Sequence, residues 1–223
     1  VDKTGTLTEG KPRVARLVAR DAHDEHTVLT VAAALETGSE HPLAMAVLEE
    51  ARKRGVDVPR ATAFRAHVGK GVTGTVGDTV AALGNAALLS ELGIELGALE
   101  ETAEAMRVEG HTVVFVAHGG VAIGLLSIHD PIKASTPEAL RLLREAGVHV
   151  VMLTGDNATT ARAVASALGI DEVHADVSPE RKEQVVAALE AEGKTVGMAG
   201  DGTNDAPALA RAHVGIAMGT GTA

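Results

Sequence analysis

The 223 residues carry 30 acidic against 20 basic side chains, a formal charge of −10, and their only aromatics are two Phe. Length and a 45% hydrophobic content allow one large or two modest cored domains, while the charge and the lack of aromatic platforms speak against a nucleic-acid partner. The absence of Cys removes disulfides and thiolate metal sites, and no apolar run approaches the roughly 20 residues that span a bilayer, so the chain reads as soluble.

The chain opens with V-D-K-T-G-T-L-T-E-G (1–10), either a solvated end or a loop built around Asp2. Helical apolar spacing follows at 27–38 and 42–55. The stretches F-R-A-H-V-G-K-G, V-T-G-T-V-G-D and T-V-A-A-L-G-N, between residues 64 and 85, read as short strands with glycine turns. A helix is predicted near 97–109, then a hairpin over 112–128 turning at His118-Gly119-Gly120. These elements make an α+β unit.

From residue 137 the pattern alternates. Helices are predicted at 137–147, 159–169, 179–193 and 205–211, with strands at 148–153, 195–199 and 214–218. Strand–helix alternation implies a parallel sheet covered by helices, an α/β unit. Ligands of such sheets gather beyond the carboxyl ends of the strands. Two of those ends carry Thr154-Gly155-Asp156 and Gly200-Asp201-Gly202-Thr203-Asn204-Asp205. If Val1 ends a strand, Asp2 lies on the same rim and the opening loop belongs to an active site.

The residues gathered there suit phosphoryl transfer. Asp2 is placed to attack a γ-phosphate and form an acyl phosphate. Asp2 and Asp201 offer hard oxygen ligands for Mg²⁺, and Lys182 a further positive charge. Thr154, Gly155 and Asn204 offer uncharged donors to phosphate oxygens. Taken singly, Asp201 and Asp205 also read as turn residues and Lys182 as a solvated helix residue; it is their joint order after strands that favours the site.

The segments D-K-T-G-T-L-T (2–8), T-G-D-N (154–157), P-E-R-K (179–182) and G-D-G-T-N-D-A-P-A-L (200–209) resemble the phosphorylation domain of P-type ATPases, a haloacid-dehalogenase-like fold. The resemblance implies that ATP phosphorylates Asp2, that the Thr4 carbonyl joins Asp2 and Asp201 on Mg²⁺, and that Lys3 and Thr6 shape the phosphate loop. Asp156 and Asp205 belong to the same motifs. D-P-I-K (130–133) also resembles a family segment, with Asp130 and Lys133 expected at an interdomain hinge. In phosphatases of this class, the residue two after the nucleophile is usually an acid–base aspartate; here it is Thr4. The phosphoenzyme is therefore expected to persist.

In the first half, S-E-H-P-L-A (39–44) places His41 before a proline, which restricts its backbone. Glu40 and His41 then present an acceptor and a flat ring to a purine, or simply begin a helix. V-G-K-G-V (68–72) and L-G-N (83–85) read as tight turns or as places where a ligand meets bare backbone. Their combination resembles the nucleotide-binding domain of heavy-metal-transporting P-type ATPases. That resemblance implies Glu40 at the adenine amino group, His41 orienting the ring, and Gly69, Gly71, Gly84 and Asn85 around base, sugar and phosphates. G-H-T-V-V-F-V-A (110–117) and G-I-A-M-G-T-G-T (215–222) look most like copper(I) pumps.

The expected fold class is thus α/β: a haloacid-dehalogenase-like doubly wound parallel-sheet phosphorylation domain, residues 1–12 and 127–223, with an inserted α+β nucleotide-binding domain, 13–126, of antiparallel sheet flanked by helices. ATP and Mg²⁺ are the expected cofactors. Expected partners are the actuator and transmembrane domains of the same pump, with the transported metal ion bound elsewhere and no nucleic acid. The domains would be cytosolic parts of an integral membrane protein. His23 and His26 are assigned to solvent. Only Val1 stands for the strand before Asp2, which would leave its two neighbours unpaired. Rival readings are a free-standing phosphatase of the same fold and a non-catalytic nucleotide-binding module.

Overall fold

The structure, a computed structural model, describes residues 1–21, 23–39, 42–202 and 204–219. Glu40, His41 and Thr203 lie outside the described residues. Two compact units emerge: Pro12–His129, and Val1–Lys11 together with Asp130–Ala223.

Pro12–His129 contains β1 (Arg13–Ala19), α1 (Glu25–Glu36), α2 (Pro42–Lys53), β2 (Ala61–His67), β3 (Gly71–Val76), β4 (Thr79–Gly84), α3 (Ala86–Glu91), α4 (Ala98–Val108), β5 (Thr112–His118) and β6 (Val121–His129). The strands form one antiparallel sheet in the order β1-β6-β5-β4-β3-β2. Asp24 starts α1 by accepting the Thr27 N–H at 2.7 Å, which satisfies one free helix donor. One core packs Val28, Leu29, Val31 and Leu35 of α1 with Val47 of α2 against the sheet. Leu88, Leu89, Leu99 and Met106 of α3 and α4 pack with Phe115 and Leu125 in a second. Because helices cover both faces, β6 is buried without a break from Ala122 to Ile128 rather than in alternation. The hairpin turns on Gly119 and Gly120, φ +63° and +79°, the left-handed pair such a two-residue turn needs.

The antiparallel sheet flanked by helices is as the sequence predicts. Three details differ. β1 is an added edge strand whose Arg13 and Arg16 mask its apolar residues. α3 is a helix of only six residues, too short for a periodic signal. The strand expected from residue 64 runs instead from Ala61 to His67, and 68–70 turn back, Lys70 N–H bonding the His67 carbonyl at 2.9 Å.

The other unit contains α5 (Thr136–Glu145), β7 (Val151–Leu153), α6 (Ala158–Leu168), β8 (Glu172–His174), α7 (Pro179–Ala191), β9 (Gly197–Gly200), α8 (Ala206–Arg211) and β10 (Val214–Ala217). β7 pairs with β8 and β9 with β10, both parallel. β7 starts later than position 148 because the Val148 N–H is taken by the Leu143 carbonyl at the end of α5, 2.9 Å away. β8, three residues long, carries too little pattern to be read in advance.

Residues 1–2 join the two parallel pairs. Leu153 N–H donates to the Val1 carbonyl and Asp2 N–H to the Ala199 carbonyl, each at 2.8 Å. The expected gap between unpaired neighbours is therefore closed, since two residues suffice to bond β7 on one side and β9 on the other. Met152 packs with Leu140, Ala161 and Leu168 on one face, while Leu153 packs with Met198, Val186 and Ala208 on the other. Helices thus cover both faces, as in a doubly wound sheet.

Candidate active site

The carboxyl ends of β7 and β9 and the end of the 1–2 segment open on the same rim. Asp2 is 4% exposed there. Its Oδ1 accepts a 2.5 Å hydrogen bond from Lys182 Nζ, and the same ammonium reaches Asp205 Oδ1 at 2.7 Å. Lys182 lies in the first turn of α7, whose start is fixed by Pro179 and by the Ser178 hydroxyl accepting the Arg181 N–H at 3.3 Å. Asp205 is 1% exposed and also accepts the Asp201 N–H at 3.2 Å. A Cβ at Gly200 would come within 2.3 Å of Asp205 Oδ2, so this glycine is what lets that carboxylate sit against the end of β9.

Burial raises the Asp2 carboxyl to about 6; the Lys182 ammonium opposes the shift, and the charges of Asp205 and Asp201 add to it. Burial works against the Lys182 charge too, but its two carboxylate partners outweigh that and its pKa is raised. Asp201 is raised as well, by burial and then by Asp205. The three carboxylates Asp2, Asp201 and Asp205 therefore hold more negative charge than the Lys182 ammonium among them neutralises.

The loop after Asp2 is a single tight turn closed by Thr8 N–H donating to the Lys3 carbonyl at 3.1 Å. It reverses at Gly5, φ +72°, where a Cβ would lie 3.0 Å from Asp201 Oδ2. Glycine at this position thus lets the Asp201 carboxylate lie over the loop. Lys3 is buried and bonds Asp156 Oδ2 at 2.6 Å, and Thr154 Oγ1 donates to the same oxygen at 2.8 Å. The D-K-T-G and T-G-D segments are thereby locked together. Thr6 Oγ1 is buried and has no partner among the described residues. Gly155 and Asn204 are exposed at the mouth.

Asp130 and Lys133 follow directly on the junction between the units, and both brace this loop. Asp130 Oδ2 accepts from Thr8 Oγ1 at 2.6 Å and Oδ1 from the Lys11 N–H at 3.0 Å. Lys133 Nζ reaches the Gly5 carbonyl at 2.5 Å and Thr136 Oγ1 the Leu7 carbonyl at 2.7 Å. Thr8, Thr136 and Gly200 are site-building residues that motif reading does not single out. Thr8 and Gly200 stand inside quoted motifs, but only the fold brings Asp130 to Thr8 across 122 positions and Asp205 against Gly200.

A hard divalent cation fits this oxygen set. Asp2 and Asp201 carry the surplus negative charge that such an ion relieves. Among the described residues no three His, Asp or Glu side chains are placed to hold a metal by themselves. Mg²⁺ binds one or two carboxylates and completes its shell with phosphate and water.

In the unit Pro12–His129, Gly71 (φ +141°) faces Gly84 across the β3–β4 ladder. A Cβ on Gly71 would meet the Leu83 carbonyl at 2.2 Å, and one on Gly84 the Lys70 carbonyl at 2.3 Å. The two bare backbones touch. Gly69 stands exposed at the turn, φ +69°. The Asn85 side chain accepts from Leu88 N–H at 3.1 Å, capping α3, and donates to the Gly69 carbonyl at 3.0 Å. Asn85 thus holds the glycine turn in place. Glu36, at the end of α1, was not singled out from sequence. It is 7% exposed, burial raises its pKa, and its Oε2 has no partner among the described residues. A lone carboxylate closing the apolar run Val28–Leu35 was the available signal.

The family model for haloacid dehalogenase-like hydrolases matches residues 1–213. The catalytic domain of the CPx-ATPase CopB-B, studied on nucleotide binding, superposes with a TM-score of 0.77 at 30% identity, over 100% of this chain and 77% of that one. The chain belongs to the haloacid dehalogenase-like hydrolases and, within them, to the P-type ATPases. It is 52% identical to the copper-transporting P-type ATPase of Rhizobium leguminosarum bv. viciae, over 99% of this chain and 26% of that protein. With the silver exporting P-type ATPase of Salmonella typhimurium it shares 51%, over 100% of this chain and 27% of the relative. The chain thus spans about a quarter of the length of these relatives.

Proposed function

We propose that the chain is the ATP-binding and phosphorylation portion of a heavy-metal pump, with copper(I) as the cargo carried elsewhere in the protein. Val1–Lys11 with Asp130–Ala223 acts as the phosphorylation domain and Pro12–His129 as the nucleotide-binding domain. The observation that carries this reading is the Asp2–Lys182–Asp205 cluster, buried at the meeting of three segments. A buried carboxylate with a raised pKa, held by a lysine, on the same loop as a buried hydroxyl without a partner among the described residues, suits a nucleophile awaiting a phosphoryl group.

In the proposed step an Asp2 oxygen attacks the γ-phosphorus of ATP, the bond to the β–γ bridging oxygen breaks, and ADP leaves. Lys182 neutralises charge at Asp2. Thr6 Oγ1 and the exposed Gly155 N–H donate to phosphate oxygens, and Asn204 does so from the mouth, while Thr154, buried and bonded to Asp156, positions that edge. Lys3, Asp156, Asp130 and Lys133 hold the loop. Asp2, the Thr4 carbonyl and Asp201 would hold Mg²⁺, which supplies charge neutralisation between carboxylate and phosphate. Thr4 offers no carboxylate to activate water, so the acyl phosphate persists; this favours the pump over a free-standing phosphatase. The curated relatives named for copper and silver support the cargo class.

On the other unit, Glu40, His41 and Glu36 recognise the base, while the exposed Gly69 turn, set by the close pairing of Gly71 with Gly84, admits the nucleotide close to the backbone. Labelling with γ-phosphate-labelled ATP and Mg²⁺ tests the whole reading. Acid-stable, hydroxylamine-sensitive label is expected; binding of ATP without any such label would leave only a nucleotide-binding module. His41→Ala is expected to weaken ATP binding while the unfolding transition stays in place.

A further inference from the structure

The two Phe residues have opposite fates. Phe115 is wholly buried in the core, whereas Phe64 on the edge strand β2 is 38% exposed. Three features surround it. The β2–β3 register shifts between Thr62 and Arg65, a bulge that re-aims the side chain beside it. Ala63 within that bulge has φ +49°, a left-handed conformation unfavourable for a non-glycine residue. The ring turned outward lies against Gly38: a Cβ there would meet Phe64 ring atoms at 3.1 and 3.2 Å. Gly38 is not among the glycines with positive φ, so what it contributes is room for the ring and not backbone freedom.

Strand β2 therefore touches one residue that the proposed nucleotide site uses and another that borders its S-E-H-P segment in sequence. Through Phe64 it meets Gly38, the residue just before Ser39-Glu40-His41 in sequence. Through His67, three residues on, it pairs with Gly71. A strained bulge that exposes one of only two aromatic side chains has no packing gain in the core to offset it.

We infer that Phe64 is a positioning residue for nucleotide recognition: its ring against Gly38 holds the chain where it leads into Ser39. The inference rests on the reading of that segment as the purine site. It requires an aromatic side chain at 64 and none at 38, and it affects recognition of the base without affecting the phosphates.

Titration of the full chain with ATP, GTP and inorganic triphosphate tests this. Phe64→Ala is expected to weaken ATP roughly tenfold and to lower the preference for ATP over GTP, with triphosphate unchanged and Phe64→Tyr within about twofold of wild type. Gly38→Ala, on an exposed turn, should reproduce the loss, and it should have no further effect when added to Phe64→Ala. ATP affinity unchanged in either single variant overturns the inference, as does parallel weakening of ATP and triphosphate. Wild-type chain that fails to bind ATP refutes the purine-site reading itself, a different result from variants that bind as wild type does.

Discussion

The two units solve different chemical problems with different materials. The phosphorylation unit gathers buried charge: Asp2, Lys182 and Asp205 lie within 2.5–2.7 Å contacts and are each at most 5% exposed. The inserted unit has little charge at its candidate site. It offers bare backbone at Gly71 and Gly84, one buried carboxylate in Glu36, and a ring at Phe64. A covalent step requires a nucleophile fixed and electrostatically poised before substrate arrives. Reversible binding requires mainly shape and a few oriented polar atoms. Substitutions should therefore fail in different ways on the two sides.

Asp2→Asn has the largest expected effect on chemistry, complete loss of label, with no loss of stability at neutral pH. The sign follows from the raised pKa. A carboxyl lifted from 3.8 to about 6 favours the folded state most when protonated, and this contribution is lost as pH rises from about 4 through 6. Thermal unfolding across that window should show a shallower fall for Asp2→Asn than for wild type. Lys182→Met comes next: it leaves two buried carboxylates unpaired, costs about 3–5 kcal/mol and abolishes labelling. Denaturant titration and labelling read both, and a stable, active variant would break the contrast between the units.

Gly71→Ala should destabilise its own unit by roughly 1–3 kcal/mol and remove ATP binding, because the new methyl overlaps a main-chain carbonyl. Thr6→Val separates function from stability. It removes a buried hydroxyl without a partner, so stability should stay within about 1 kcal/mol, while the labelling rate falls by one to two orders of magnitude. The smallest effect is expected for Glu36→Gln, which keeps an acceptor and should change ATP affinity only severalfold, whereas Glu36→Leu should lose more; equal affinities would remove Glu36 from the site.

The same contrast decides what could be read from sequence. Asp2, Lys182, Asp201 and Asp205 sit in motifs whose residue types are dictated by phosphoryl chemistry, so they are legible at a distance. The bracing of the loop by Asp130 and Lys133 is not, because it depends on residues more than 120 positions apart meeting in the fold. Glycine spacing pointed to Gly71 and Gly84, but their mutual contact appears only in the β3–β4 register. Asn85 reads as a ligand in its motif, and its hydrogen bonds give it the work of a cap. β7 is legible as the end of the β-branched run 148–153, whereas β8, at three residues, shows no alternation long enough to recognise, yet it pairs with β7 at the rim on which the site opens.

The most direct test is to find where the phosphoryl group goes. Chain phosphorylated from ATP, acid-quenched and reduced with borohydride, should yield homoserine in place of Asp2 in the N-terminal peptide and at no other aspartate. Reduction at Asp201, Asp205 or Asp156, or phosphate found on a hydroxyl such as Thr4 or Thr6, would contradict Asp2 as the phosphate carrier.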